Sequence, residues 1–277
     1  MEVSDVMLSR ILVAIVGIPF LIAVLLLFPP IVLPVVLALL CAIAVHEALY
    51  ATGAVRHKGI IGAAMVLALF IPFWLYFGGN ILVGMCAVFL FWVALCMMTI
   101  ASDQTVTFGQ MGMAFVSGLI IPMLLSSFVL IADLEHEKFL ILLPFVSAFT
   151  SDAFALFAGM AFGKHKLAPK LSPKKTVEGS VGGFAGSVLC CVAYGLLVQA
   201  VWGFQPNFPV LALYGLVASL VSQLGDLSFS YIKREFGIKD YGHLLPGHGG
   251  VLDRFDSVIF CAPFTYIMVV LLPFFRF

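Results

Sequence analysis

Charge is what this sequence has least of. Lys, Arg, Asp and Glu make up only 10% of its 277 residues, fourteen basic against fourteen acidic. The zero net charge by itself says nothing about partners, and the distribution of the charges must be read instead; no nucleic acid is expected as a partner. Cysteine is also sparse. The six present (Cys41, Cys86, Cys96, Cys190, Cys191, Cys261) form no Cys-x-x-Cys pair and all lie in apolar segments, which argues against a disulfide framework or a thiolate metal site and leaves them as small buried hydrophobes. A separate soluble domain, a low-complexity tail, an internal repeat and a Ser–His or Cys–His pairing suited to nucleophilic catalysis are likewise not evident.

What is present is apolar. Hydrophobic residues reach 63% and the mean hydropathy is +1.17. They fall in runs of about 20 residues, the length a helix needs to cross a bilayer core, without the short alternating segments of a barrel. The expected fold is an all-α polytopic integral membrane protein, one membrane domain over 1–277. Nine spans are read at residues 10–28, 31–50, 60–77, 81–100, 112–132, 139–162, 179–200, 210–230 and 254–275. Residues 1–138 hold the first five spans. The catalytic part is expected at 139–277, with polar loops at 163–178 and 231–253. The first run lacks a small-residue cleavage site and is expected to be retained.

Loops placed on alternate sides put twelve Lys and Arg with the N-terminus and two, Lys138 and Arg276, opposite. By the positive-inside rule the N-terminus and both long polar loops are expected in the cytoplasm and the C-terminus outside, in a cell (inner) membrane.

Ionisable residues inside such spans are costly, so function is their default reading. The run 223–257, QLGDLSFSYIKREFGIKDYGHLLPGHGGVLDRFDS, holds most of them. Ser222, Asp226, Ser230 and Lys233 or Arg234 share one stripe of a helix, and Asp253 and Asp256, three apart, share a face of the next with Arg254 beside them. Asp152, in the sixth span, needs a cation or a donor and is read as supporting a site. In the preceding loop, Ser172, Lys174, Lys175 and Thr176 bring two ammonium groups and two hydroxyls to the start of a helix, a combination suited to polyphosphate. His46 and Glu47 read either as local hydrogen-bonding partners or as a rim of the site. The close Gly182 and Gly186 read as a helix-packing face, which also permits a homodimer.

Carboxylates at the cytoplasmic ends of several spans, with lysine-rich loops at the same level, fit one polar cavity open to the cytoplasm and inner leaflet. Hard oxygen ligands among cations point to magnesium and a phosphate-rich substrate, with the cations neutralising charge that develops in phosphoryl or nucleotidyl transfer.

The run from Ser230 to Asp256 resembles the signature of the phosphatidate cytidylyltransferases (CDP-diacylglycerol synthases), S-x-x-K-R-x(4)-K-D-x(5)-[PG]-x-H-G-G-x-x-D-R-x-D, meeting every fixed position. SDAFALFAGMAFGKHKLAPKLSPKKTVEGSVGG and QLGDLSFS resemble the flanking motifs. The resemblance implies that CTP and phosphatidic acid, drawn from the membrane lipids, give CDP-diacylglycerol and pyrophosphate. Carried over by position, Asp226, Asp253 and Asp256 hold magnesium, with room for a second, monovalent cation such as K+. Lys174, Lys175, Lys233, Arg234, Lys239 and Arg254 are the candidate phosphate contacts, Lys233 and Arg254 placed at the reacting groups. His248 either donates to a phosphate or braces its turn. Asp240 is expected to orient Lys239 or Lys233, and Asp152 to act from behind the ligands or through the second cation. The alternatives are a CDP-alcohol phosphotransferase, whose paired Asp-Gly and Ala-Arg motif is absent, and an ion-coupled transporter, which the clustering of charge at one face disfavours.

Overall fold

The computed structural model describes residues 15–17, 19–102, 105–242, 244 and 249–276. Arg10 and His248 lie outside them, as does part of the first expected span, of which residues 19–26 are helical. Eight helical segments are long and apolar enough to cross a membrane among the described residues: Val32–Ala51, Lys58–Tyr76, Ile81–Ala101, Phe108–Ala132, Lys138–Phe162, Val177–Trp202, Phe208–Glu235 and Leu252–Leu271. Each corresponds to one of the expected spans from the second to the ninth. The protein is thus an all-α polytopic membrane protein in its main architecture.

The elements in order are α1 (Val32–His46), continued by a π turn (Glu47–Ala51), α2 (Lys58–Tyr76), α3 (Ile81–Ala101), α4 (Phe108–Leu125), α5 (Ser127–Ala132), α6 (Glu137–Leu140), α7 (Leu143–Phe162), β1 (Lys166–Ala168), β2 (Ser172–Thr176), α8 (Val177–Trp202), β3 (Gln205–Pro206), α9 (Phe208–Glu235), α10 (Leu252–Leu271) and β4 (Phe275–Arg276). Their contacts fall into two compact units, Met1–Leu130 with Lys233–Phe255 and Ile131–Ile232 with Asp256–Phe277.

In the first unit, polar caps start helices that are otherwise apolar all round. His57 Nδ1 accepts from Ile60 N at 3.3 Å to open α2. Asn80 Oδ1 accepts from Leu82 N and Val83 N at 3.0 and 3.3 Å to open α3. Thr107 and Gln110 close a reciprocal capping box on α4, satisfying amides that have no partner within the helix. Small residues set the packing distance: a Cβ on Gly118 of α4 would stand 3.0 Å from Ala64 Cβ of α2.

The second unit is organised by α7 against α8. Added Cβ atoms on Gly182 and Gly186 would collide with Ala158 and Phe154, and one on Gly179 would lie 2.7 Å from Ala155 O. The expected glycine face therefore serves close packing of two helices of the same chain.

Two expectations need correction. Residues 163–178 are not an open loop, because β1 and β2 pair antiparallel, Lys166 opposite Thr176 and Ala168 opposite Ser172. Gln205–Pro206 pairs with Phe275–Arg276, and Asn207 N donates to Phe274 O at 2.5 Å. Cys41, Cys191 and Cys261 are buried as expected, but Cys86 is exposed; it lies on α3, whose side chains mostly point outward, and an apolar environment such as lipid accepts a thiol as readily as a core does.

Candidate active site

In the second unit the hairpin stands on Glu178. Its carboxylate accepts from the backbone N of Lys164 (3.0 Å) and of His165 (3.2 Å), and it bonds to His165 Nδ1 at 2.6 Å. Thr176 Oγ1 caps α8 by accepting from Gly179 N at 3.1 Å, so the hydroxyl expected to meet substrate also starts the helix. On β2 the Lys174 side chain is exposed, whereas Lys175 is half-buried. Lys175 Nζ pairs with Asp226 Oδ2 on α9, and Ser230 Oγ, one turn on, donates to Asp226 Oδ1 at 3.3 Å.

Asp152 of α7 joins this group. It accepts from Ser257 Oγ at 3.3 Å, and Asp226 and Lys175 are the charges that act on it. Asp256 Oδ1 accepts from Ser257 N at 2.8 Å. The helices meet closely here because position 225 is glycine: a Cβ would come within 2.8 Å of Asp256 O. Gln223 ties the arrangement together. Its amide accepts from Ser180 Oγ on α8 and donates to Ser180 O (3.3 Å) and Ser219 Oγ (3.2 Å), while Ser219 bonds Ser151 on α7 at 2.6 Å. Three helices are thereby pinned in register behind Asp152, Lys175 and Asp226.

The first unit holds a different constellation. Asp253, at the start of α10, accepts from Lys233 Nζ at 2.9 Å through Oδ1, and from Tyr241 N (2.7 Å) and Gly250 N (3.0 Å) through Oδ2. The Lys233 ammonium also lies 5.5 Å from the Tyr241 ring centre, within cation–π range. Glu47, from the π turn, accepts from Val251 N at 3.0 Å and Leu252 N at 2.8 Å. It is therefore no local partner of His46; its bonds cross 204 and 205 positions.

Of the expected site residues, Asp152, Lys175, Asp226 and Asp256 come together in the second unit, and Lys233 and Asp253 in the first. The carboxylate paired with Lys233 is Asp253 rather than Asp240, because the bend after α9 leaves Asp240 exposed. Arg234 donates to Ile238 O at 3.1 Å across that bend. Lys239 and Arg254 are exposed, Ser172 is half-buried in β2, and Ser222 is buried one turn before Asp226. Gln223, Glu178 and the reach of Glu47 were not anticipated. The one available signal was that each is a polar side chain in or beside an apolar span.

Among the described residues no group of three or more His, Cys, Asp and Glu side chains converges as a metal cage. Magnesium does not need one, since it takes one or two carboxylates together with substrate phosphates and water. The hard oxygens of Asp226 and Asp256 fit that chemistry. Asp253, with three donors on about four lone-pair sites, has little acceptor capacity left.

The model of the cytidylyltransferase family matches residues 8–272, and so takes in every one of these side chains. The chain belongs to the cytidylyltransferase family. Among its relatives, the phosphatidate cytidylyltransferase of Bacillus subtilis is 37% identical over 174 residues, 62% of this chain and 63% of that one. The Rickettsia felis protein of the same name is 37% identical over 175 residues, 60% of this chain and 74% of that one. The Staphylococcus epidermidis protein is 44% identical over 130 residues, 47% of this chain and 48% of that one. The aligned stretch thus spans less than two thirds of the Bacillus and Staphylococcus relatives' own length.

Proposed function

We propose that this cytidylyltransferase-family protein is a phosphatidate cytidylyltransferase, transferring CMP from CTP to phosphatidic acid in the cell membrane, with its site facing the cytoplasm. The observation that carries the reading is the family match across nearly the whole chain, and the Lys175–Asp226 pair, with Lys174 next to it on β2, gives it suitable chemistry. In the reaction a phosphate oxygen of phosphatidic acid attacks the α-phosphorus of CTP. The new P–O bond forms as the bond to the β-phosphate oxygen breaks, and pyrophosphate departs with the electron pair. The attacking oxygen is already ionised at neutral pH, so positioning and charge neutralisation do the work and no strong general base is required.

Lys174 and Lys175 are assigned to the triphosphate, and Arg234, Lys239 and Arg254 to further phosphate oxygens. Asp226 and Asp256 would hold magnesium, which when bound neutralises phosphate charge. Asp253 is retained as a third carboxylate whose first task is to hold Lys233. Asp152 supports Asp226 from α7.

The test is purified protein in detergent with labelled CTP, phosphatidic acid and magnesium. CDP-diacylglycerol and pyrophosphate should appear in equal amounts; folded protein that forms neither would overturn the proposal.

A further inference from the structure

We infer that Glu47 is a positioning residue for this reaction: its carboxylate, from the π turn after α1, fixes the backbone that leads into α10 and so sets where Asp253 and Lys233 stand. The inference rests on the proposed cytidylyl transfer for its kinetic arm only.

Glu47 is 6% exposed, and no lysine or arginine pairs with it among the ion pairs of the described residues. A buried carboxylate without a cation must be satisfied by directed donors. Here both oxygens are used, Oε1 by Val251 N at 3.0 Å and Oε2 by Leu252 N at 2.8 Å. Those amides open α10, where the unpaired N–H groups and the helix dipole favour a negative charge. Charge-assisted bonds of this type are about twice as strong as neutral ones.

The backbone around Glu47 is shaped to it. A Cβ on Gly250 would stand 2.5 Å from Oε2, and one on Gly242 would stand 2.7 Å from Oε1. Neither glycine has a positive φ, so the chain's conformation does not demand glycine at either place; the nearness of the carboxylate does. Gly250 links the two clusters directly, because its own N–H donates to Asp253 Oδ2 at 3.0 Å. Asp253 follows Leu252 without a gap and carries Lys233 on its other oxygen at 2.9 Å. A shift of the 250–252 backbone must therefore move Lys233, which the signature resemblance places at the reacting groups.

The experiment compares wild type with Glu47→Gln and Gly242→Ala. The first removes the charge and replaces one acceptor by a donor; the second keeps the carboxylate and pushes a methyl group against it. Both should remain folded by thermal unfolding in detergent. Both should lose kcat by about 10- to 100-fold, as is usual when a residue orienting a reactive side chain is altered, while KM for CTP changes little because the hairpin lysines are untouched. Amide hydrogen exchange of the peptide covering Val251 and Leu252 should speed up in both. Unchanged exchange with unchanged kcat would overturn the inference, and so would a fall in kcat without faster exchange. If Glu47→Gln does not fold, Gly242→Ala alone decides by the same two readouts. A folded wild type without cytidylyl transfer would sink the proposed function instead, leaving the exchange comparison to judge the clamp.

Discussion

Lys175 meets Asp226 with 25% and 24% of the two side chains exposed, whereas Lys233 meets Asp253 with 11% and 2%. The first pair is supported from one side by a single Ser230 hydroxyl. The second is locked by two backbone amides as well as the ammonium. A partly exposed pair with few further bonds costs little to open, so its lysine can exchange a carboxylate for a phosphate. A buried pair with every oxygen used resists opening, because either member left alone is an uncompensated buried charge. The same two residue types thus make a pair that opens readily in one unit and a locked pair in the other.

The sharpest way to break this contrast is Asp253→Ala. It strands the Lys233 ammonium and two amides, and should cost about 3–5 kcal/mol of stability, read as a large fall in thermal unfolding temperature in detergent. Asp226→Asn should do the opposite. Activity should drop about 100- to 1,000-fold, comparable to removing a group that stabilises transition-state charge, while stability changes by about 0–1 kcal/mol; equal destabilisation by the two variants would erase the distinction. Lys175→Met should raise KM for CTP more than it lowers stability, measured by steady-state kinetics beside a melting curve. The smallest effect on the reaction is expected from Gly186→Ala, a methyl group pressed on Phe154, which should cost about 1–3 kcal/mol by overpacking α7 against α8 and leave KM for CTP unchanged.

The spans were legible because hydropathy over about 20 residues is a strong, local signal, and Gly182 with Gly186 correctly announced a close helix pair. The hairpin was not legible. Ser172-Pro-Lys-Lys-Thr has neither alternation nor a run of β-branched residues to mark a strand, and its pairing is anchored by Glu178 at 13 and 14 positions' distance. The acidic residues of the site could be picked out one by one as charges in apolar surroundings. Ser230 shares the helix stripe of Asp226 and does bond it, but the distant partners could not be read: Lys233 stands seven residues from Asp240 and twenty from Asp253, and sequence distance favoured the wrong one. Glu47 is the extreme case, since nothing near it hints at amides two hundred residues away.

The π turn at Glu47–Ala51 has a consequence for the length of the chain. Such a turn accommodates one residue more than a regular helix would use. With that extra residue already absorbed, inserting another after Glu47 would rotate α1 by about 100° relative to the chain beyond the turn. Glu47 would then leave the amides of Val251 and Leu252 even though its own codon was untouched. This segment should therefore tolerate substitution at outward positions such as Tyr50, which is 64% exposed, far better than it tolerates an inserted residue.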